Sequence, residues 1–173
     1  MLNAIDNHLR SLANTANGQF REELRKRLNG KVTEDQVATL KEFIFLLPAT
    51  LKQFSRYWNR KGTPPDAKRI SGFIMTYIYQ PKDFLPEDSI GLFGYLDDTY
   101  MVVSAYLKIQ DHFLADWHDK TPEELELTKR AKRLIIAPRM VIPQVTDRID
   151  QMLDNLVAGK DGDFTKMIAE LSE

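Results

Sequence analysis

Apolar residues in this chain recur at three- and four-residue spacing from one end to the other, a period that gathers side chains on one face of an α-helix. Ile5, Leu9 and Leu12 open the pattern, and Phe20, Leu24 and Leu28 resume it after a soft interval at 14–18, which reads as one broken helix or two. Asn29 and Gly30 stop it. Thr33 and Gln36 then form a capping box, in which the hydroxyl takes an orphan backbone N–H and the amide reaches back. The helix it starts carries Val37, Leu40, Phe43, Ile44 and Leu47.

Proline and glycine divide the rest of the chain. Pro48 suits the first turn of a helix carrying Leu51, Phe54, Tyr57 and Trp58 and ending at Lys61-Gly62. Pro64-Pro65 open the next, with Ile70, Phe73, Ile74, Tyr77 and Ile78 inward, and Pro81 ends it. Asp97-Asp98 lead into the longest apolar face, Val102, Val103, Tyr106, Ile109, Gln110, Phe113, Leu114 and Trp117, which predicts a central helix. Thr121 to Glu124 repeat the capping-box pattern with proline at the first helical position. Pro138 and Pro143 break the next stretch; Val145, Ile149, Met152, Leu153, Leu156 and Val157 then trace a last long helix ended by Gly159. Asp163 caps a short tail helix with Phe164, Met167, Ile168 and Leu171. No alternating strand of useful length appears. The expectation is an all-α fold, a single domain over 1–173 built as a bundle of about seven helices, with a long acidic loop between two central helices.

Composition narrows the chemistry. With 173 residues and 43% hydrophobic content the chain can bury one core. It has no cysteine, which excludes disulfides, thiolate metal sites and cysteine nucleophiles. Net charge is -1, so no polyanionic partner is implied globally, yet the halves differ. Residues 1–82 hold 14 Lys/Arg against 7 Asp/Glu, and residues 83–173 hold 10 against 18. Opposite signs allow intramolecular pairing or head-to-tail self-association. Asp6, Asn7, His8 and Arg10 occupy the place of a secretory apolar run, and no stretch reaches the length of a bilayer span, so a cytoplasmic location is expected, with peripheral contact at the inner membrane allowed.

The loop between Tyr79 and Tyr100 exceeds the usual helix–helix connection. It holds Asp83, Glu87, Asp88, Asp97 and Asp98 interleaved with Phe84, Leu85, Ile90, Leu92, Phe93 and Leu96, so apolar residues can pin it to the core while the acids gather. Tyr79, Pro81, Asp83, Leu85, Pro86 and Glu87, then Gly94, Tyr95, Leu96, Asp97 and Asp98, resemble the paired motif of the YkvA-like bacterial family, a domain of unknown function. The resemblance covers about residues 66–107. It departs in having Glu87 as the second acid, a spacer about one residue longer, and Gly91 within it. It implies a helical fold and no particular activity.

The acids admit two readings. Structurally, Asp97 or Asp98 accepts hydrogen bonds from the free N–H groups of the central helix, and Asp83 does so for a turn after Pro81. Chemically, Asp83, Glu87, Asp97 and Asp98 converge on a metal, Ca²⁺ or Mg²⁺, through oxygen ligands, without the spacing of an EF-hand. A carboxylate pair could also serve acid–base catalysis, which needs one acid with a raised pKa.

Other candidates read more simply. The run from Lys52 to Gly62, continued by Lys68-Arg69, interleaves cations with Tyr57 and Trp58 as nucleic-acid or anionic-lipid surfaces do. The simpler account makes Phe54 and Trp58 core and leaves nucleic acid out. The run Arg21 to Arg27 reads as a solvated helix face. His112 and Asp116 share a helical spacing near Asp111, His118 and Asp119, and read as surface neighbours rather than a metal site. No phosphate-binding glycine loop, nucleophile elbow or zinc-protease helix is present. The function that fits is a small helical binding or regulatory module acting through a protein partner or a membrane surface. Its rival is a divalent-cation-dependent hydrolase using the loop carboxylates.

Overall fold

The computed structural model describes residues 2–15, 17–78, 84–85, 90–117, 120–162 and 164–166. Among them the fold is all-α, with no strand. The soft interval separates two helices, α1 (Leu2–Thr15) and α2 (Asn17–Leu28). Then come α3 (Glu34–Ile44), α4 (Leu47–Asn59) and α5 (Pro65–Ile78), a 3₁₀ turn at Gly91–Gly94, and α6 (Tyr95–His112). The chain continues as α7 (Pro122–Leu134), the short α8 (Ile136–Val141) and α9 (Pro143–Val157). None of these helices is long and apolar enough to cross a membrane.

α6 is the hub. From Leu96 through Tyr106 every side chain is buried, because α9, α4 and α5 pack on it and α3, α7 and the 3₁₀ turn cover the rest. A helix enclosed on all sides carries no polar stripe, and its small or hydroxylated residues Thr99, Ser104 and Ala105 let neighbours approach. The helix stops at His112, earlier than the apolar face suggested. Phe113 and Leu114 both send their N–H groups to Ile109 O, and the chain turns away. Leu114 stays buried while Trp117 lies half-buried beyond the turn.

Several boundaries obey local chemistry. Thr33 Oγ1 accepts from Gln36 N at 3.2 Å and Gln36 Oε1 accepts from Thr33 N at 2.9 Å, so both arms of the first capping box form. α3 ends at Ile44 rather than Leu47, and Leu47 starts α4 with Pro48 in its first turn. Gly62 at φ +81° makes the left-handed turn after α4, and Gly159 at φ +75° makes the one after α9. Phe164 is buried against Phe73, with ring centroids 5.4 Å apart. Asp163, Met167, Ile168 and Leu171 of the expected tail helix lie outside the described residues.

Part of the charge asymmetry is spent inside the molecule. Arg56 pairs with Glu123 at 2.9 Å, Arg69 with Asp161, and Arg133 with Glu42 at 2.7 Å, each joining the two halves. The surface of α2 behaves as a solvated face, with Arg25–Glu22 and Lys26–Glu23 pairs along it and Leu24 in the core.

Candidate functional site

The acidic loop is held by its apolar residues. Leu85, Leu92, Phe93 and Leu96 are buried, and Phe84 and Ile90 pack half-buried against the same core. Phe84 sits between the Tyr77 ring and the Arg148 guanidinium, 6.5 and 5.1 Å away. Asp97 is fully buried and Asp98 is 6% exposed. The start of α6 has no side-chain cap. Asp97 Oδ2 instead accepts the N–H groups of Phe84 and Leu85, each at 3.1 Å, and so fixes the returning loop. The reason is geometric: the 3₁₀ turn before α6 already supplies a helical residue at the cap position, and the buried loop amides require an acceptor.

Asp83, Glu87 and Asp88 lie outside the described residues. Among the described residues no group of three or more His, Asp or Glu side chains is placed to hold a metal ion. His112 and Asp116 share no helix, since α6 ends at His112; both are exposed, and Asp111 pairs with Lys132 at 2.9 Å. His118 and Asp119 lie outside the described residues.

A second polar cluster sits where α4, α6 and α7 meet. Glu124 is 3% exposed, and its Oε1 accepts the Tyr57 hydroxyl at 2.8 Å and the Gln110 Nε2 at 2.8 Å. Gln110 Nε2 also donates to the Tyr57 oxygen. Tyr57 and Tyr106 lie parallel, 3° apart in plane with centroids at 6.5 Å. The Tyr106 hydroxyl lies 3.1 Å from the Glu124 carbonyl and 2.8 Å from Thr128 Oγ1. Burial pushes the Tyr57 hydroxyl far above the ordinary tyrosine range, with Tyr106 and Glu124 adding to it. Burial likewise pushes Tyr106 up to about 12.

Sequence reading missed this cluster, although half of its signal was legible. Thr121 Oγ1 accepts from Glu124 N at 3.2 Å, as a capping box requires. The Glu124 carboxylate does not return to its own helix start. Tyr57 and Gln110 draw it inward instead, across 67 and 14 residues of sequence.

Outside this cluster lies an open cleft of about 390 Å³ between α4 and the start of α7, lined by Gln53, Arg56, Tyr57, Asn59, Arg60, Thr121 and Glu124. Arg60 stacks over Trp117 at 4.7 Å, and Arg56 reaches Glu123. On the other side of α4 a groove of about 300 Å³ runs against α5, lined by residues that include Phe54, Trp58, Gly72 and Met75. Trp58 corrects the expectation that it belongs to the core. Phe54 is buried, but Trp58 is 58% exposed. It continues the stripe of Leu47, Leu51 and Phe54 one turn past the point where the core ends, and its ring rests on α5 where Gly72 has no Cβ.

No family model, curated protein or solved structure matches this chain.

Proposed function

We propose that this chain is a helical binding module and that the exposed side of α4 is its working surface, taking an acidic segment of a partner protein. The observation that carries the reading is Trp58, 58% exposed at the groove between α4 and α5. Tryptophan is the residue type most often found at the energetic centre of an interface, because a large rigid ring loses little entropy when it is covered. Lys52 and Lys61 stand exposed on the same element and the turn after it, with Lys68 on α5, which favours carboxylates opposite. The cytoplasm is the setting this reading assumes.

A photo-crosslinking residue placed at position 58 in the source cells tests it. Discrete protein adducts that vanish when Lys52 and Lys61 are both changed to Glu support an acidic partner. Co-sedimentation with phosphatidylglycerol vesicles that is lost in Trp58→Ala, without protein adducts, would replace the partner with a membrane surface. Absence of both would remove α4 as the working face.

The alternative, a divalent-cation-dependent hydrolase using Asp83, Glu87, Asp97 and Asp98, draws on the burial of Asp97 and Asp98 side by side at the start of α6. A buried carboxylate needs compensation, which a hard cation taking oxygen ligands can supply. It requires Ca²⁺ or Mg²⁺ to bind with a rise in melting temperature that Asp97→Asn removes; calorimetry showing no heat at millimolar metal would dismiss it.

A further inference from the structure

We propose that the cleft between α4 and α7 is a binding site for a small zwitterion, a molecule of amino-acid size carrying a carboxylate and a protonated amine. The groups concerned lie inside the cleft, apart from the ring of Trp58 and the docking face around it.

Gln53 points to a ligand most directly. It is 4% exposed, it lines the cleft, and its side-chain amide makes no hydrogen bond among the described residues. The amide keeps a little solvent contact along the cleft, where a ligand can supply the partners that the chain does not. Arg56 adds a second donor without a partner among the described residues. Its Nη2 is held by Glu123 at 2.9 Å, while its Nη1 is buried and has no partner among the described residues. A planar guanidinium with one nitrogen anchored and the other unpartnered suits a carboxylate oxygen, once a small movement brings that nitrogen to the cleft.

The opposite wall is acidic. Glu124 lines the cleft with its Oε1 already engaged by Tyr57 and Gln110, and its Oε2 takes no hydrogen bond among the described residues. That oxygen is an acceptor for an ammonium. The same carboxylate disfavours a bare phosphate, which would gain Arg56 and meet Glu124. Donors at Gln53 and Arg56 facing an acceptor at Glu124 therefore select a ligand with both charges. A cleft of about 390 Å³ lies toward the small end of ligand sites, which commonly span roughly 300–1,000 Å³. The site is also rigid, since Tyr57, Gln110 and the Thr121 cap fix Glu124 from three sides.

The test uses the full chain, with the side-chain amide resonances of Gln53 and the melting temperature as readouts and the proteinogenic L-amino acids, each at millimolar concentration, as probes. The expected result is that one amino acid, or one chemically related group, moves the Gln53 resonances and raises the melting temperature. Its methyl ester and its N-acetyl derivative should each bind about tenfold or more weakly, as expected where a site's polar groups are left without their partner. Glu124→Gln should lose the preference for the free amine. Because that change also touches the buried network, Gln53→Met provides a variant of similar volume that should keep the wild-type melting curve and lose binding about tenfold. Three results would overturn the proposal: no response of Gln53 to any amino acid, equal binding of the ester and the acetylated form, or a response to inorganic phosphate as large as to the best amino acid.

Discussion

The Tyr57 hydroxyl donates to Glu124 Oε1 at 2.8 Å, fastening the last turn of α4 to the first turn of α7 through a carboxylate that local rules would assign to its own helix start. Thr33 and Gln36 behave differently. There both arms of the capping box close, since among the described residues no buried donor takes the Gln36 amide oxygen. At Thr121 only the hydroxyl arm closes, because two buried donors, Tyr57 and Gln110, need an acceptor that Glu124 provides.

Removing the tyrosine hydroxyl should therefore cost more than one exposed hydrogen bond. Tyr57→Phe leaves Gln110 and Glu124 short of a partner and should destabilise by about 1–3 kcal/mol. Glu124→Gln should fall in the same range. Urea denaturation of both variants and the double variant should give a coupling energy above about 0.5 kcal/mol, the level expected of residues in one network. Additive losses would mean that the two groups act separately.

The same tyrosines set the alkaline limit of stability. Burial raises Tyr57 far above its ordinary value of 10.0 and Tyr106 to about 12, and burial, reinforced by the bond to Asp150, raises Tyr100. In the unfolded chain these groups lose their protons near pH 10, while in the folded chain they keep them. Over that interval the unfolded state binds fewer protons, so stability falls as pH rises. Below pH 10 their contribution is full and constant. Each tyrosine should add a slope of about 1.4 kcal/mol per pH unit above pH 10. Denaturation between pH 9 and about 12 should show the decline, and Tyr106→Phe should flatten it.

What the sequence disclosed was what neighbouring residues decide among themselves. The helical period located the elements because each face is set within a few turns, and Thr33 and Gln36 needed nothing beyond their own turn. The exposure of Trp58 was hidden, since its position on the stripe of Leu51 and Phe54 is correct and only the extent of the core, fixed by distant helices, leaves it outside. The end of α6 at His112 was hidden for the same reason, because an apolar run continues through Phe113 and Leu114 after the helix has turned away. Asp97 read as a cap for the free N–H groups of α6, but its donors are Phe84 and Leu85, which arrive across a loop.

Asp97 should accordingly stabilise the loop more than the helix. Asp97→Ala leaves two backbone N–H groups without their acceptor and should cost about 3 kcal/mol, whereas Asp97→Asn keeps a carbonyl oxygen and should cost about 1 kcal/mol. Hydrogen exchange separates the effect from general destabilisation. The amides of Phe84 and Leu85 should exchange faster in Asp97→Ala by more than those in the middle of α6, such as Val102 and Val103, which open only with the whole domain. Uniform acceleration would place the role of Asp97 in the helix instead.

Trp58 and Phe54 lie four residues apart on one stripe of α4, yet their substitutions should diverge. Phe54→Ala removes a ring that is 1% exposed and should cost about 3–5 kcal/mol through lost burial and the cavity left behind. Trp58→Ala removes a ring already largely in water; its contact with α5 at Gly72 covers one side alone, so the loss should stay near 1 kcal/mol or below. As the centre of the docking surface proposed for α4, Trp58 should register in binding instead. In Trp58→Ala the melting temperature should hold within a few degrees, while capture of the partner found by crosslinking at this position falls at least about tenfold, the loss typical of a central interface tryptophan. A Trp58→Ala variant that melts as early as Phe54→Ala would show the ring to be a structural support, and the docking surface would then have to be sought away from α4.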